Sequence, residues 1–391
     1  MNITNNLSKT DKTPYSEESD ISQKNINELP DELLLKIFSS LGLETLAQTS
    51  LTCKHWKSLS FDPSLLRNIF FKSLPQTAEL YKRNPDEVTD KDFFLRSLKR
   101  DARMRSAKFQ PSSRVLIEYK RGINCFQLAD GKVISGSDYE TIRIWDPDSG
   151  KEIKALTGHT SSVNCLQVAE GKVFSGSDDK TIRIWDIDSG KEFKVLTGHR
   201  SWVKCLQVAE RKVFSGSGDG MIRIWDIDSG GELQVLIGHK GPVTCLQVAD
   251  GKIFSGSWDK TIRIWDIDSG KEFKVLTGHR SWVNCLQVAD GKVFSGSDDE
   301  MIRIWDFNSG KKLRPLKGHT KPVCCLQVAD GKVFSGSDDK TIRVWDIDSG
   351  TELRMIENFE EGVYNLSVVD GKIFVRSGYF KIKVFDFNLP L

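Results

Sequence analysis

The sequence predicts a mainly β fold, a seven-bladed β-propeller preceded by a small all-α module and a helical linker. The first observation is a repeat. Residues 171–186 (GKVFSGSDDKTIRIWD) recur almost letter for letter at 251–266 and 331–346. The second is a fixed period: Trp-Asp pairs begin at Trp145, Trp185, Trp225, Trp265, Trp305 and Trp345, 40 residues apart, and Phe385-Asp386 falls on the same grid. Seven units at one period of this length mean a solenoid, a propeller or an array. The third is the content of each unit. In the second, 163–168 (VNCLQV), 172–175 (KVFS), 181–185 (TIRIW) and 192–196 (EFKVL) are β-rich and are parted by turn residues. No helical period intervenes, and four strands per repeat is the signature of a propeller blade.

The ends of the repeat region say how it closes. The last unit stops after its third strand, near Phe385, and too few residues follow for a fourth. Residues 114–119 (RVLIEY) lie in the register of a fourth strand ahead of the first unit. They are expected to complete the last blade, which removes two sheet edges. The propeller is therefore placed at 111–391.

Upstream, residues 1–24 are polar and aperiodic and read as a disordered tail. Residues 25–71 change character. Pro30 suits a first helical position, with acidic residues behind it at the positive helix end. Leu33, Leu34, Ile37, Phe38 and Leu41 form one apolar face, and Gly42 is placed to end that helix. Short helices carrying Leu46 and Leu51, then Cys53 and Trp56, follow. So few residues bury little core alone and leave an apolar surface that wants a partner. Residues 72–110 read as a helical basic linker, whose run Arg96, Lys99, Arg100, Arg103, Arg105 and Lys108 is taken as a solvated helix face.

Gly-His before the first strand and Trp-Asp closing the third make the repeats resemble the WD-repeat propellers. The spacing holds across five Gly-His and six Trp-Asp pairs. The resemblance implies a buried network of His, Ser, Asp and Trp in each blade. It is carried onto His159, Ser175, Asp179 and Trp185; His199, Ser215, Asp219 and Trp225; His239, Ser255, Asp259 and Trp265; His279, Ser295, Asp299 and Trp305; and His319, Ser335, Asp339 and Trp345. A buried Asp needs donors, which His, Ser and indole supply. These histidines are thus structural, since one residue repeated on every blade places no unique base beside a unique nucleophile. Tyr119 and Tyr139 stand for His and Asp in the first blade, and Phe359, Tyr379 and Phe385 for His, Asp and Trp in the last. The network is expected to be lost there.

The helical module resembles the F-box, on Leu29, Pro30, Leu33, Leu34, Ile37, Phe38, Leu41, Leu46, Leu51, Cys53 and Trp56. The resemblance implies that these residues contact the Skp-type adaptor of a cullin ubiquitin ligase, with the propeller presenting a target protein. On that resemblance the chain is expected to be a non-catalytic substrate receptor. The alternative is a propeller scaffold that ubiquitinates nothing.

In WD-repeat proteins three positions per blade commonly face the ligand. Here they carry the three tryptophans outside the Trp-Asp pairs and Trp56, namely Trp202, Trp258 and Trp282, on three consecutive blades. They also carry Lys204, Asn284, Asp298 and Tyr364, which complete the candidate target-binding set. Asp138, Asp178 and Asp338 share the third position with Asp298, and no arginine stands at any of the three. A basic or apolar target is expected rather than a phosphorylated one.

The net charge of +2 argues against a polyanion partner, and nucleic acid is not expected. No apolar run reaches the roughly 18 residues of a membrane span. Six of the eight cysteines occupy one position of successive repeats, which fits neither a disulfide set nor a zinc pattern. No cofactor or metal is expected. A reducing cytoplasm or nucleus is the natural setting, or a host cytosol for a delivered microbial effector.

Overall fold

In blades 2 to 7 the first strand starts at the same valine of the repeat, and its side chain is buried between blades. In the computed structural model, residues 103–104, 111–119, 122–356 and 359–387 are described. The tail, the module over 25–71 with its candidate adaptor contacts, and the linker apart from Arg103 and Met104 lie outside them. Among the described residues, 28 strands form seven four-stranded antiparallel sheets. Blade 2 runs outward as Val163–Ala169, Lys172–Ser177, Thr181–Asp186 and Glu192–Thr197, and blades 1 and 3 to 6 repeat it. The first strands of neighbouring blades lie side by side around a central channel.

Blade 7 is built from both ends of the repeat region. Its inner strands are Val363–Val369, Lys372–Ser377 and Lys381–Asp386, and its outermost strand is Ser112–Glu118, antiparallel to Lys381–Asp386. The ring is therefore closed by the N-terminal strand, with Leu116 and Ile117 buried.

No blade has a core of its own. Phe214, Ile222, Ile224 and Leu236 of blade 3 pack on Val243, Ile253, Trp265 and Ile267 of blade 4, and the same layer recurs around the ring. These layers are dry and tight. At Gly256 a β-carbon would meet Cys245 Sγ at 2.6 Å and Val283 Cγ1 at 2.7 Å, so only glycine fits between the blades.

A polar staple accompanies each apolar layer. The Gln207 side chain accepts from Val248 N at 2.5 Å, and Gln247 accepts from Val288 N at 2.5 Å. Gln127, Gln167, Gln287 and Gln327 do the same for Val168, Val208, Val328 and Val368. The amide nitrogen of Gln247 returns to the carbonyl of the same valine, Val288. These glutamines and the neighbouring leucines line a well of about 400 Å³ on the channel axis. The junction from blade 7 to blade 1 is different, because Ser367 stands in the glutamine position. There Arg376, in the place of the repeat glycine, is buried under the Tyr364 ring and donates to Ile123 O at 2.7 Å.

The linker is tied in at two residues. Met104 is buried in the layer between blades 6 and 7. Arg103, expected on a solvated face, instead donates to Phe387 O at 3.0 Å, and its own carbonyl accepts from Arg354 at 3.0 Å. The reason is local: these partners lie at the outer edge of the closing blades, where main-chain and guanidinium groups need hydrogen bonds.

Two substitutions test the shared layers by urea unfolding. Ile117→Ala is expected to cost about 2–5 kcal/mol through the cavity left under the closing strand. Gly256→Ala is expected to cost about 1–3 kcal/mol by overpacking, although it adds a single methyl.

Candidate target-binding face

In blades 2 to 6 a carboxylate is held at the turn between the second and third strands. His159 Nδ1 lies 2.7 Å from Asp179, and Nε2 lies 2.7 Å from Ser175 Oγ, which accepts from Trp185 Nε1 at 2.9 Å. The carboxylate fixes the tautomer. Nδ1–H donates to Asp179, so Nε2 accepts the serine proton and the serine oxygen accepts the indole proton. Asp179 also accepts from Thr160 N and Thr181 N, which pins the outer-to-inner loop onto the hairpin turn. The chain recurs as His199, Ser215, Trp225 and Asp219. It recurs again through His239 with Ser255, His279 with Ser295, and His319 with Ser335.

The two blades at the seam depart unequally. Loss of the network was expected in both, but blade 1 keeps the bond from Trp145 Nε1 to Ser135 Oγ at 2.8 Å. Only the histidine and the carboxylate are replaced there, so the Trp–Ser half survives. Tyr119 packs edge-on against Trp145 at 5.6 Å. In blade 7, Phe359 and Phe385 pack at 5.5 Å. With no carboxylate to bury, Tyr139 and Tyr379 turn outward.

The five intact networks thus hold one end of the ring rigid, the end where loops and second-to-third turns meet. The variable positions sit on it. Asn124, Asn164 and Asn284 donate to Asp138, Asp178 and Asp298 at 2.6–2.7 Å, each within its own blade. Asn284 also reaches Val323 O of the next blade at 3.0 Å, so its amide positions Asp298. In blade 6, where Cys324 replaces the asparagine, Asp338 is met by Tyr364 of blade 7. Burial first, then this carboxylate, raises the Tyr364 phenol. Blades 3 and 4 have no such pair. Lys204 and Thr244 stand for the asparagine, Gly218 and Trp258 for the aspartate, and Lys204 is exposed.

The three variable tryptophans come together in this gap. Trp258 and Trp282 are stacked with centroids 4.1 Å apart and planes 9° apart. Trp202 lies against Trp258 at 5.8 Å and 54°. Trp282 is 41% exposed, and the other two are half-buried. Gly218 makes the arrangement possible, since a β-carbon there would meet Trp202 Cε2 at 2.5 Å. Sequence reasoning placed the tryptophans on one sector but not the stack; the readable signal was glycine at 218 where most blades carry aspartate. Also unread were the glutamine staples, a polar residue repeated six times on an inner strand and broken once, at Ser367.

The seven described cysteines are free thiols, and burial pushes Cys125 and Cys245 up to about 12, which removes their thiolates at neutral pH.

Comparison with known proteins adds two family matches. Residues 26–72 match the F-box-like family. Residues 150–186, 190–226, 230–266, 270–306 and 310–346 match the WD domain, G-beta repeat. The chain is 30% identical over 158 residues to "F-box and WD repeat domain-containing 11-A" of Danio rerio, covering 34% of this chain and 27% of that protein. It is 29% identical over 145 residues to "F-box/WD repeat-containing protein 7" of Drosophila melanogaster, covering 34% of this chain and 11% of that protein. The alignments thus span about a quarter and about a tenth of those relatives.

The network carboxylates give the propeller an acid limit. Burial alone would raise Asp179, Asp219, Asp259, Asp299 and Asp339, but hydrogen bonds from histidine and backbone N–H, joined by a threonine hydroxyl at Asp179, Asp259 and Asp339, outweigh it and hold all five well below the usual range. A depressed carboxylate contributes stability that is present above its unfolded value of about 4 and is lost as pH falls below it. Melting temperature should therefore drop steeply below about pH 4. Asp259→Asn, melted across the same range, should show a lower plateau and a shallower drop.

Proposed function

The chain is an F-box-like, WD-repeat protein, and on that premise we propose that it is the target-receiving subunit of a Skp–cullin–F-box ubiquitin ligase. The F-box-like segment would hold the adaptor through Leu33, Leu34, Ile37 and Phe38. The propeller would hold the target, and catalysis would be proximity supplied by the assembly. The observation that carries the reading is the stack of Trp202, Trp258 and Trp282 on the rigid end of the ring. Three adjacent indoles with one ring well exposed form an anchor of the kind that dominates interface energies.

The surroundings favour a target segment with apolar and cationic side chains. Among the described residues no cation lies over any of the three indoles, and the exposed Trp282 ring at the end of the stack is left to a ligand cation. Asp138, Asp178, Asp298 and Asp338 share the face with Lys204 as the one cation at the variable positions. At the variable positions themselves four carboxylates stand against one lysine, which disfavours a phosphorylated segment there, while Arg200 and Arg280 lie nearby. The asparagine and tyrosine bonds hold these carboxylates oriented before a ligand arrives.

Two measurements test the reading. Purified Skp-type adaptor should be pulled down by the intact chain and lost with a Leu33→Asp, Ile37→Asp double variant. A folded chain that binds no adaptor would leave a scaffold in place of a ligase receptor. Proteins recovered by proximity labelling in cells should fall away with Trp258→Ala, which is expected to cost about 2 kcal/mol or more of binding. Phosphatase treatment should leave that recovery unchanged; dependence on phosphate would overturn the target chemistry.

A further inference from the structure

We propose that the seam between blades 7 and 1 is a second binding site, and that it takes a peptide segment bearing arginine or lysine. The site goes beyond the tryptophan anchor, which sits on blades 3 to 5. It is a groove of about 360 Å³ between the turn of blade 7 and the strand that closes the ring. Tyr379 and Phe380 form its aromatic wall, and Glu118, Glu360, Glu361 and Lys381 its charged rim.

The groove follows from the broken network. In blades 2 to 6 the residue in the place of Tyr379 is an aspartate turned inward to histidine. Here the histidine is Phe359, the inward bond is gone, and Tyr379 points out, 51% exposed, beside Phe380 at 46%. Their backbone is nonetheless fixed. Tyr119 N donates to Phe380 O at 2.8 Å, and Ile123 N donates to Tyr379 O at 2.5 Å. Both donors belong to the entry of blade 1, so the aromatic wall is held by ring closure itself. The two rings lie 6.4 Å apart at 59°, open to solvent on the groove side.

Charge selects the occupant. Both lysines of the groove are engaged: Lys381 lies 3.6 Å from Glu118, and Lys383 lies 5.7 Å over the Phe359 ring. Glu360 and Glu361 are exposed, and neither carboxylate has an ion-pair or hydrogen-bond partner among the described residues. Two carboxylates without a partner among the described residues, beside two exposed aromatic rings, suit a guanidinium or ammonium, which can lie over a ring face and donate hydrogen bonds to a carboxylate. An acidic or phosphorylated segment would be repelled.

The test uses the full chain and a fluorescent octapeptide of alternating arginine and serine, with an alternating glutamate and serine peptide as its counterpart. Binding is read by anisotropy at low salt. The basic peptide should bind and the acidic one should not. Glu360→Lys with Glu361→Lys should weaken binding about tenfold or more, and Tyr379→Ala by about threefold to tenfold. Because the tryptophan anchor is itself suited to a cation, the seam is read with Trp202→Ala and Trp282→Ala already in place, and in that background the basic peptide should still bind and the double lysine variant should still weaken it. Both acidic positions are exposed, so the double variant should keep the parent melting temperature. No binding of the basic peptide, or equal binding of both peptides, would overturn the proposal. So would unchanged binding by the double lysine variant. If the tryptophan variants alone abolish binding, the seam site falls while the anchor on blades 3 to 5 stands.

Discussion

Everything in this ring rests on apolar layers that belong to two blades at once. A blade alone would leave the Trp185 or Trp265 side of its sheet in water, so folding is favourable only when each neighbour is present. That constraint makes closure a condition of stability. It also explains why the terminal strand Ser112–Glu118 is recruited across the sequence to finish blade 7. The glutamine staples follow the same logic. They satisfy inner-strand backbone groups at the well where solvent would compete, and they do so between blades.

Against that shared frame, features that bear on binding sit where the repeat is broken. Blades 3 and 4 give up the asparagine–aspartate pair, and the space is taken by indoles. Blades 7 and 1 give up the histidine–aspartate bond, and tyrosines turn outward. At the seam a carboxylate that the repeat would hold inward gives way to an aromatic ring, and in blades 3 and 4 a solvent-facing polar pair gives way to lysine, threonine, glycine and Trp258, with intact blades on either side. Rigidity and variation are thus assigned to different residues of the same 40-residue unit.

The sequence disclosed the blade count, the strand order and the closing strand because each depends on periodicity, which repetition amplifies. It also placed Trp202, Trp258 and Trp282 on one sector, since three exceptions in a near-identical series stand out. Their stacking was not legible, because it depends on the absence of a side chain at Gly218 and on rotamers across two blade boundaries. The survival of the Trp145–Ser135 bond was missed for a different reason. The network was read as a unit, whereas its serine–indole half needs no histidine. The insertion of Arg376 at the seam was hidden too. A single arginine in a strand carries no periodic signal, and its burial depends on Ile123, far away in sequence and adjacent only once the ring has closed.

Closure by Ser112–Glu118 has a consequence at the level of the gene. Near-identical repeats invite unequal recombination, which adds or removes coding sequence one blade at a time. An eighth or a sixth blade would copy its own network and staple without fault. Every shared layer would then have to turn through a different angle before Ser112–Glu118 could pair with Lys381–Asp386, so closure makes the fit of the whole ring depend on the number of blades. Substitutions within a blade at the variable positions leave that fit untouched.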